Sequence, residues 1–227
     1  MKLRVVVVAL AVGIALGLKR HYADARAEDL AWILGPTSRL AGAIAGTRFL
    51  PLAGEGYFSR EHLFVIAKAC AGVNFMVAAF GVVTVALLHR VRSILSAAGV
   101  LAASLAASYG AAVLVNAVRI VVALWLAAHP VSVLSPADVH RLEGIVVYFG
   151  GLVLLYEIVR RLDQESQSRG LRRFALPLAS YYFVTLAIPL AGGTTSSTAF
   201  VAHALVVFTV PVVLIVCASA AGTMLRR

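Results

Sequence analysis

Cysteine is scarce in this 227-residue chain: only Cys70 and Cys217 occur, with no CxxC pair and no Cys/His ligand spacing. That excludes a disulfide framework and a structural zinc site. Charge is also sparse, at 13% of residues against 61% hydrophobic, and mean hydropathy is +0.94. A soluble domain of this size does not need so much apolar surface to fill one core, so the composition points to a polytopic membrane protein. Acidic residues are fewest, ten against twenty Lys and Arg, for a formal charge of +10. Nucleic-acid binders share such an excess, but here the basic residues fall in short clusters between apolar segments without interleaved aromatics. That is the pattern of cytoplasmic membrane flanks, and it excludes a nucleic-acid partner. No internal repeat or soluble second domain shows, and no cofactor is implied.

Apolar stretches near twenty residues are the unit that spans a bilayer as helix, because every backbone amide must be satisfied internally there. The first covers residues 3–18, between Lys2/Arg4 and Lys19/Arg20. The tripeptide ADA at 23–25 resembles a cleavage site, so the segment reads as a signal peptide or as a retained anchor; the membrane character of the rest of the chain favours the anchor. Residues 19–68 then form an outer loop containing AWILGPTSRLAGAIAGTRF, which reads as an interfacial segment because Pro36, Arg39 and Arg48 interrupt it. A second span is expected over 69–89. The apolar run 93–128 is too long for one crossing and is interrupted by Asn116 and Arg119, which suggests one crossing plus a shorter surface or re-entrant piece. Residues 121–133 are expected to kink or lie on the surface, with Trp125 at the headgroups. At Ser135 a capping signature opens the next helix: Ser135 as cap, Pro136 at the first position, Asp138 where a capping-box carboxylate sits. Two further spans are expected within 174–222, separated by the polar turn AGGTTSST.

Parity sets the topology. With one crossing in 93–128, the clusters Lys2/Arg4, Arg90/Arg92, Arg160/Arg161 with Arg169/Arg172/Arg173, and Arg226/Arg227 all fall on one side, which the positive-inside rule makes the cytoplasm. The expectation is therefore an all-α bundle, a single domain over 1–227 with about six transmembrane helices and both termini cytoplasmic. Its site-bearing spans lie within 69–160.

This topology puts Cys70, Arg119 and His140 at one outer surface. A lone cysteine in an apolar helix is ordinarily a small hydrophobe. Lys68 and a helix N-terminus favour a thiolate at Cys70, however, and Asn74 one turn on shares its face. Cys217 has only apolar and small neighbours and reads as structural. Arg119 lies between VNAV and IVVALW, where a guanidinium costs about 3 kcal/mol or more unless it snorkels or finds a partner. Asn116 lies on the same face, three residues earlier. His140 reads either as a surface histidine at a helix start or as a proton carrier, and Glu143 can pair with it or with Arg141. Gly144, Gly150 and Gly151 suit close helix packing. His129, His21 and His62 compete for the histidine role; His89 is expected on the cytoplasmic side, and His203 stands alone in the last span. Thiol, imidazole and guanidinium together suit acyl transfer.

The order CAGVNFM (residues 70–76), NAVRI (116–120) and HRLEGIVVYFGG (140–151) resembles the exosortase/archaeosortase membrane proteins, and the first motif is most similar to the exosortase K branch. The shared pattern is a Cys followed closely by Gly, an Asn-x-x-Arg-Ile, and a His four residues before a Gly. The likeness covers the layout of residues 3–156. It implies a membrane cysteine transpeptidase or protease acting on exported proteins with a C-terminal sorting signal, meaning a short motif, a membrane helix and a basic cluster. It further implies Cys70 as the nucleophile that forms a thioester, His140 as general acid/base and Arg119 as transition-state stabiliser, with a membrane lipid, a glycan or water as acceptor. The chain departs from the better-known pattern, where Ser-Gly or Asn-Gly and a basic residue follow the Cys; Ala71 and Asn74 stand here, while the nucleophile, base and cation of the pattern are all present. Two other classes compete. A small transporter or channel subunit would bind an anion at Arg119, although the last two spans offer little beyond Thr185 and His203. A scaffold without chemistry would leave Arg119 as a snorkelling side chain.

Overall fold

The computed structural model describes residues 2–129, 135–163, 172–191 and 198–224. Most of them are helical. Helix α1 is Lys2–Asp24 and α2 is Ala31–Ala45; α3 is Val73–Leu87, with short 3-10 turns at Lys68–Cys70 and Leu88–Arg90; α4 is Ile94–Ala128 and α5 is Pro136–Leu162. Helix α6, Arg172–Tyr182, continues through a π-helical stretch, Phe183–Ala187, into α7, Ile188–Ala191, and α8 is Thr198–Met224. Three helical stretches, Lys68–Arg90, Ile94–Ala128 and Pro136–Leu162, are long and apolar enough to cross a membrane. Val5, Leu16, Leu114, Leu154 and Phe208 each point outward, more than half exposed. Such an apolar exterior suits contact with lipid and would be a liability in water.

Helix α3 is central. It packs against α1, α4, α5 and α6, and Phe75, Met76, Val77, Ala78, Ala79 and Phe80 are all buried. Helix α4 corrects the expectation for 93–128, because it runs unbroken for 35 residues instead of dividing into a crossing and a shorter piece. Its buried positions recur every four residues: Val100, Ser104, Ser108, Ala112, Asn116, Ile120 and Leu124. That stripe carries small side chains where α2 and α3 pack on it, which permits close approach. Asn116 and Arg119 do not interrupt the helix, since both find partners inside the bundle. The kink expected over 121–133 is absent as far as Ala128; Trp125 stacks on His129 with ring centroids 4.8 Å apart, and residues 130–133 lie outside the described residues. The Ser135 cap matches its signature: Ser135 Oγ accepts from the Asp138 N–H at 3.2 Å and donates to the Asp138 carboxylate at 2.7 Å.

The outer loop expected over 19–68 contains more structure than its sequence suggests. Helix α2 includes Pro36 and buries Ile33, Leu34, Thr37, Ser38 and Ala41. A proline cannot donate to the carbonyl four residues back, here that of Trp32; the Tyr109 hydroxyl of α4 donates to it instead, at 2.8 Å. A three-stranded antiparallel meander comes next in the chain: β1 Leu50–Leu52, β2 Gly56–Ser59 and β3 Phe64–Ile66, with Pro51 opposite Tyr57 and Phe58 opposite Val65. The buried Thr47 and Ser59 hydroxyls are 2.9 Å apart and join α2's exit to β2. Strand β3 delivers the chain directly to Cys70.

Side-chain bonds distinguish the bundle's two ends. At one, Arg4 Nη2 donates to the His89 carbonyl at 3.2 Å, and the nearly buried Asp163 carboxylate takes His89 Nε2 at 2.8 Å as well as Arg90. At the other, Lys19 Nζ donates to Asn74 Oδ1 at 2.7 Å and Lys68 Nζ to the Ala23 carbonyl at 3.0 Å. Cys70, Arg119 and His140 belong to this second end.

Candidate functional site

Cys70 ends a single 3-10 turn instead of lying within a long helix. The break comes from Gly72, whose φ of +70° is left-handed and lets α3 begin only at Val73. Two sequence expectations change as a result. Asn74 does not share a helical face with Cys70; its Oδ1 accepts from Lys19 instead. Lys68 turns away from the thiol, its ammonium 5.3 Å from the centroid of the Tyr22 ring and bonded to the Ala23 carbonyl.

From Cys70 a chain of polar contacts crosses to α5. The fully buried Asn116 donates from Nδ2 to the Cys70 carbonyl. Its Oδ1 accepts from the Tyr148 hydroxyl at 2.8 Å, and that hydroxyl accepts from Arg119 Nη1 at 3.1 Å. Arg119 Nη2 lies 2.8 Å from His140 Nε2. A Cβ on Gly72 would sit 3.2 Å from Asn116 Cγ, so the glycine also makes room for this amide. Gly144 does the same for Arg119, its added Cβ falling 3.3 Å from Nε, whereas Gly150 faces open space and packs against nothing.

Arg119 does not snorkel. Its side chain is 11% exposed and turns into the bundle, with its guanidinium carbon 5.1 Å from the Tyr148 ring centroid and its Nε 3.6 Å from Glu143 Oε2. Glu143, 3% exposed in its side chain, is its counter-charge and lies equally far, 3.6 Å, from His140 Nδ1. Arg119 Nε and both Glu143 carboxylate oxygens are buried without a hydrogen-bond partner, so this contact is Coulombic and offsets only part of the cost of a charge in a low-dielectric interior. The geometry also assigns the His140 tautomer. A guanidinium only donates, so His140 Nε2 accepts and the ring proton sits on Nδ1, facing Glu143.

A cavity of about 500 Å³ opens beside this network, lined by Lys19, Asn74, Arg119, His140, Arg141 and Tyr148 among others and reaching inward between α3, α5 and α8. Cys70 is not part of its wall, and its Sγ makes no hydrogen bond to Arg119 or His140. The Arg119 and Glu143 charges nevertheless lie within electrostatic range of the thiol. Thus the structure brings Asn116, Arg119, His140 and Glu143 into one network, with Cys70 joined to it through its carbonyl and Asn74 standing at the cavity's rim. Sequence reasoning missed Tyr148, which carries the connection between Asn116 and Arg119, and Lys19. Of the competing histidines, His129 keeps its Nδ1 on the Trp125 carbonyl at 2.9 Å; His89, not one of them, pairs with Asp163 at the end opposite the site. Among the described residues no group of three His, Cys, Asp or Glu could hold a metal ion.

No protein-family model, curated protein or solved structure matches this chain.

Proposed function

We propose that this protein is a membrane-embedded cysteine transpeptidase or protease of the exosortase/archaeosortase type, cleaving the C-terminal sorting signals of exported proteins at the outer face of the cytoplasmic membrane. The observation that carries the reading is the continuous path from the Cys70 peptide through Asn116, Tyr148 and Arg119 to His140, all at one end of the bundle. In this reading α1, α3, α4, α5, the α6–α7 unit and α8 cross the bilayer, with both termini inside. The Arg4, His89, Arg90 and Asp163 cluster supports that topology, because it gathers basic flanks at the end opposite the site. Depth agrees: Arg119 lies roughly 38 Å along α4 from Ile94 at 1.5 Å per residue, beyond a hydrocarbon core of about 30 Å.

The chemistry proceeds in two displacements. His140 Nε2 leaves Arg119 and takes the Cys70 thiol proton; the thiolate attacks the scissile carbonyl carbon, and the resulting oxyanion is held by the Arg119 N–H groups. Collapse breaks the C–N bond as His140 returns the proton to the leaving amine, giving a thioester and freeing the tail helix with its basic cluster. Water or a nucleophile on a surface acceptor, a membrane lipid among them, then attacks the thioester carbonyl carbon while the now neutral His140 takes its proton; the C–S bond breaks and the departing Cys70 thiolate recovers that proton from His140. Glu143 faces the Nδ1 proton throughout and offsets the imidazolium charge.

A second reading, an anion-binding membrane protein without catalysis, is favoured by one specific observation: the cavity is walled by Arg119 and not by Cys70. Cys70→Ala separates the two. Co-expressed with an exported protein bearing a C-terminal helix and basic cluster, the variant should leave the tail uncleaved. Cleavage by Cys70→Ala at the wild-type rate would overturn the enzyme reading.

A further inference from the structure

The cavity beside Arg119 has a donor inventory that its own walls do not satisfy. Lys19 Nζ spends one proton on Asn74 and keeps two. Arg119 spends one N–H of Nη1 on Tyr148 and one of Nη2 on His140, and each nitrogen keeps another. Arg141 lines the same mouth and meets Asp138 only at 3.7 Å. Among the described residues no Asp or Glu lines this cavity; the Glu143 carboxylate lies behind Arg119, along a separate apolar groove of α4 and α5. The mouth is therefore cationic and rich in free donors. Deeper in, the wall becomes Phe75, Leu152 and Val207, with no charge. A volume of about 500 Å³ is that of a small-molecule site, within the ~300–1,000 Å³ usual for such sites.

We infer that this cavity binds an anionic amphiphile: a phosphate or carboxylate head on Lys19, Arg119 and Arg141, and an unbranched apolar chain along Phe75, Leu152 and Val207. Charge-assisted bonds to an oxyanion answer the unspent donors, and the tail displaces water from the apolar end. The site draws Lys19 from α1, so the first helix is a working part of the cavity wall and not only an anchor. The binding uses no thiol, so it stands or falls separately from the thioester chemistry.

The test is retention of three probes by the full chain, released from a non-ionic detergent and weighed by native mass spectrometry: dodecyl phosphate, dodecanoate and dodecanol. At least one of the two anions should be held about tenfold more tightly than the alcohol or better, the gain expected of hydrogen bonds to charged groups. The stronger anion identifies the head, phosphate as in a phospholipid or carboxylate as in a free fatty acid. Lys19→Gln and Arg141→Gln should each lower retention of that anion while sparing the alcohol, and either variant suffices if the other does not fold. Cys70→Ala should bind as wild type does. Equal retention of all three probes, or anion binding unchanged in every folded variant of the two cations, would overturn the inference.

Discussion

Arg119 Nη2 and His140 Nε2 lie 2.8 Å apart, although α4 and α5 contribute them from positions 21 residues apart in sequence. One is a permanent donor, so the other must accept, and this fixes the resting imidazole as neutral with its proton on Nδ1. Nitrogen-15 spectra of histidine-labelled protein should show His140 as the Nδ1–H tautomer when neutral. Arg119→Gln removes the guanidinium and should let the Nε2–H form, the commoner one in free imidazole side chains, gain population. A wild-type His140 already in the Nε2–H form would contradict the assignment.

Glu143 is the only carboxylate within ion-pair distance of Arg119 among the described residues, and its side chain is 3% exposed. Deleting one partner of a buried pair leaves the other uncompensated, so Glu143→Gln should cost about 3 kcal/mol. Arg119→Gln should cost a similar amount, and the double variant clearly less than the sum of the two. Thermal unfolding in detergent, read as a double-mutant cycle, checks this; additive losses would mean that the two charges do not see each other.

Gly72 holds two constraints at once, a φ of +70° and an Asn116 side chain 3.2 Å from where a Cβ would be. Gly72→Ala should therefore destabilise by about 1–2 kcal/mol from backbone strain alone. It should also disturb the Asn116 bond to the Cys70 carbonyl, which changes how the thiol is presented. Maleimide alkylation of Cys70, measured in a Cys217→Ala background because Cys217 is exposed, should change rate in the Gly72 variant. Unchanged stability together with unchanged alkylation would show that the left-handed turn is not needed.

Residues that are costly where they stand are the ones legible in the sequence. Arg119 stands out in an apolar run because a guanidinium there demands a partner, and Ser135 with Pro136 marks a helix start because their backbone preferences are local. Tyr148 carries no such mark. A tyrosine within GIVVYFGG reads as ordinary aromatic packing, and only the fold reveals that its hydroxyl sits between Asn116 and Arg119. Lys19 likewise reads as a flank of the first apolar segment, since nothing local says that α1 passes beside Asn74. The three-stranded sheet is invisible for another reason: strands of three or four residues give too short an alternation to detect, and their pairing depends on two positive-φ glycines, Gly54 in the β1–β2 turn and Gly56 at the start of β2. The length of α4 is hidden because Asn116 and Arg119 look like interruptions, whereas their partners on the turn preceding α3 and on α5 let the helix continue.

The Pro36 position offers a prediction that does not depend on any function. Within α2 the Trp32 carbonyl has lost its normal donor to the proline ring, and the Tyr109 hydroxyl replaces it at 2.8 Å while the two aromatic rings stack at 5.9 Å. Tyr109→Phe keeps the ring but removes the hydroxyl, leaving a carbonyl unpaired at the α2–α4 contact. The loss should be about 0.5–1.5 kcal/mol, the net worth of an ordinary intramolecular hydrogen bond, because Trp32 is partly exposed. Pro36→Ala restores an N–H four residues after Trp32, so in that background the hydroxyl becomes dispensable and Tyr109→Phe should cost only a few tenths of a kcal/mol. Four thermal midpoints, for wild type, the two single variants and the double, decide it. If Tyr109→Phe costs the same with and without the proline, the hydroxyl is not substituting for the missing backbone donor.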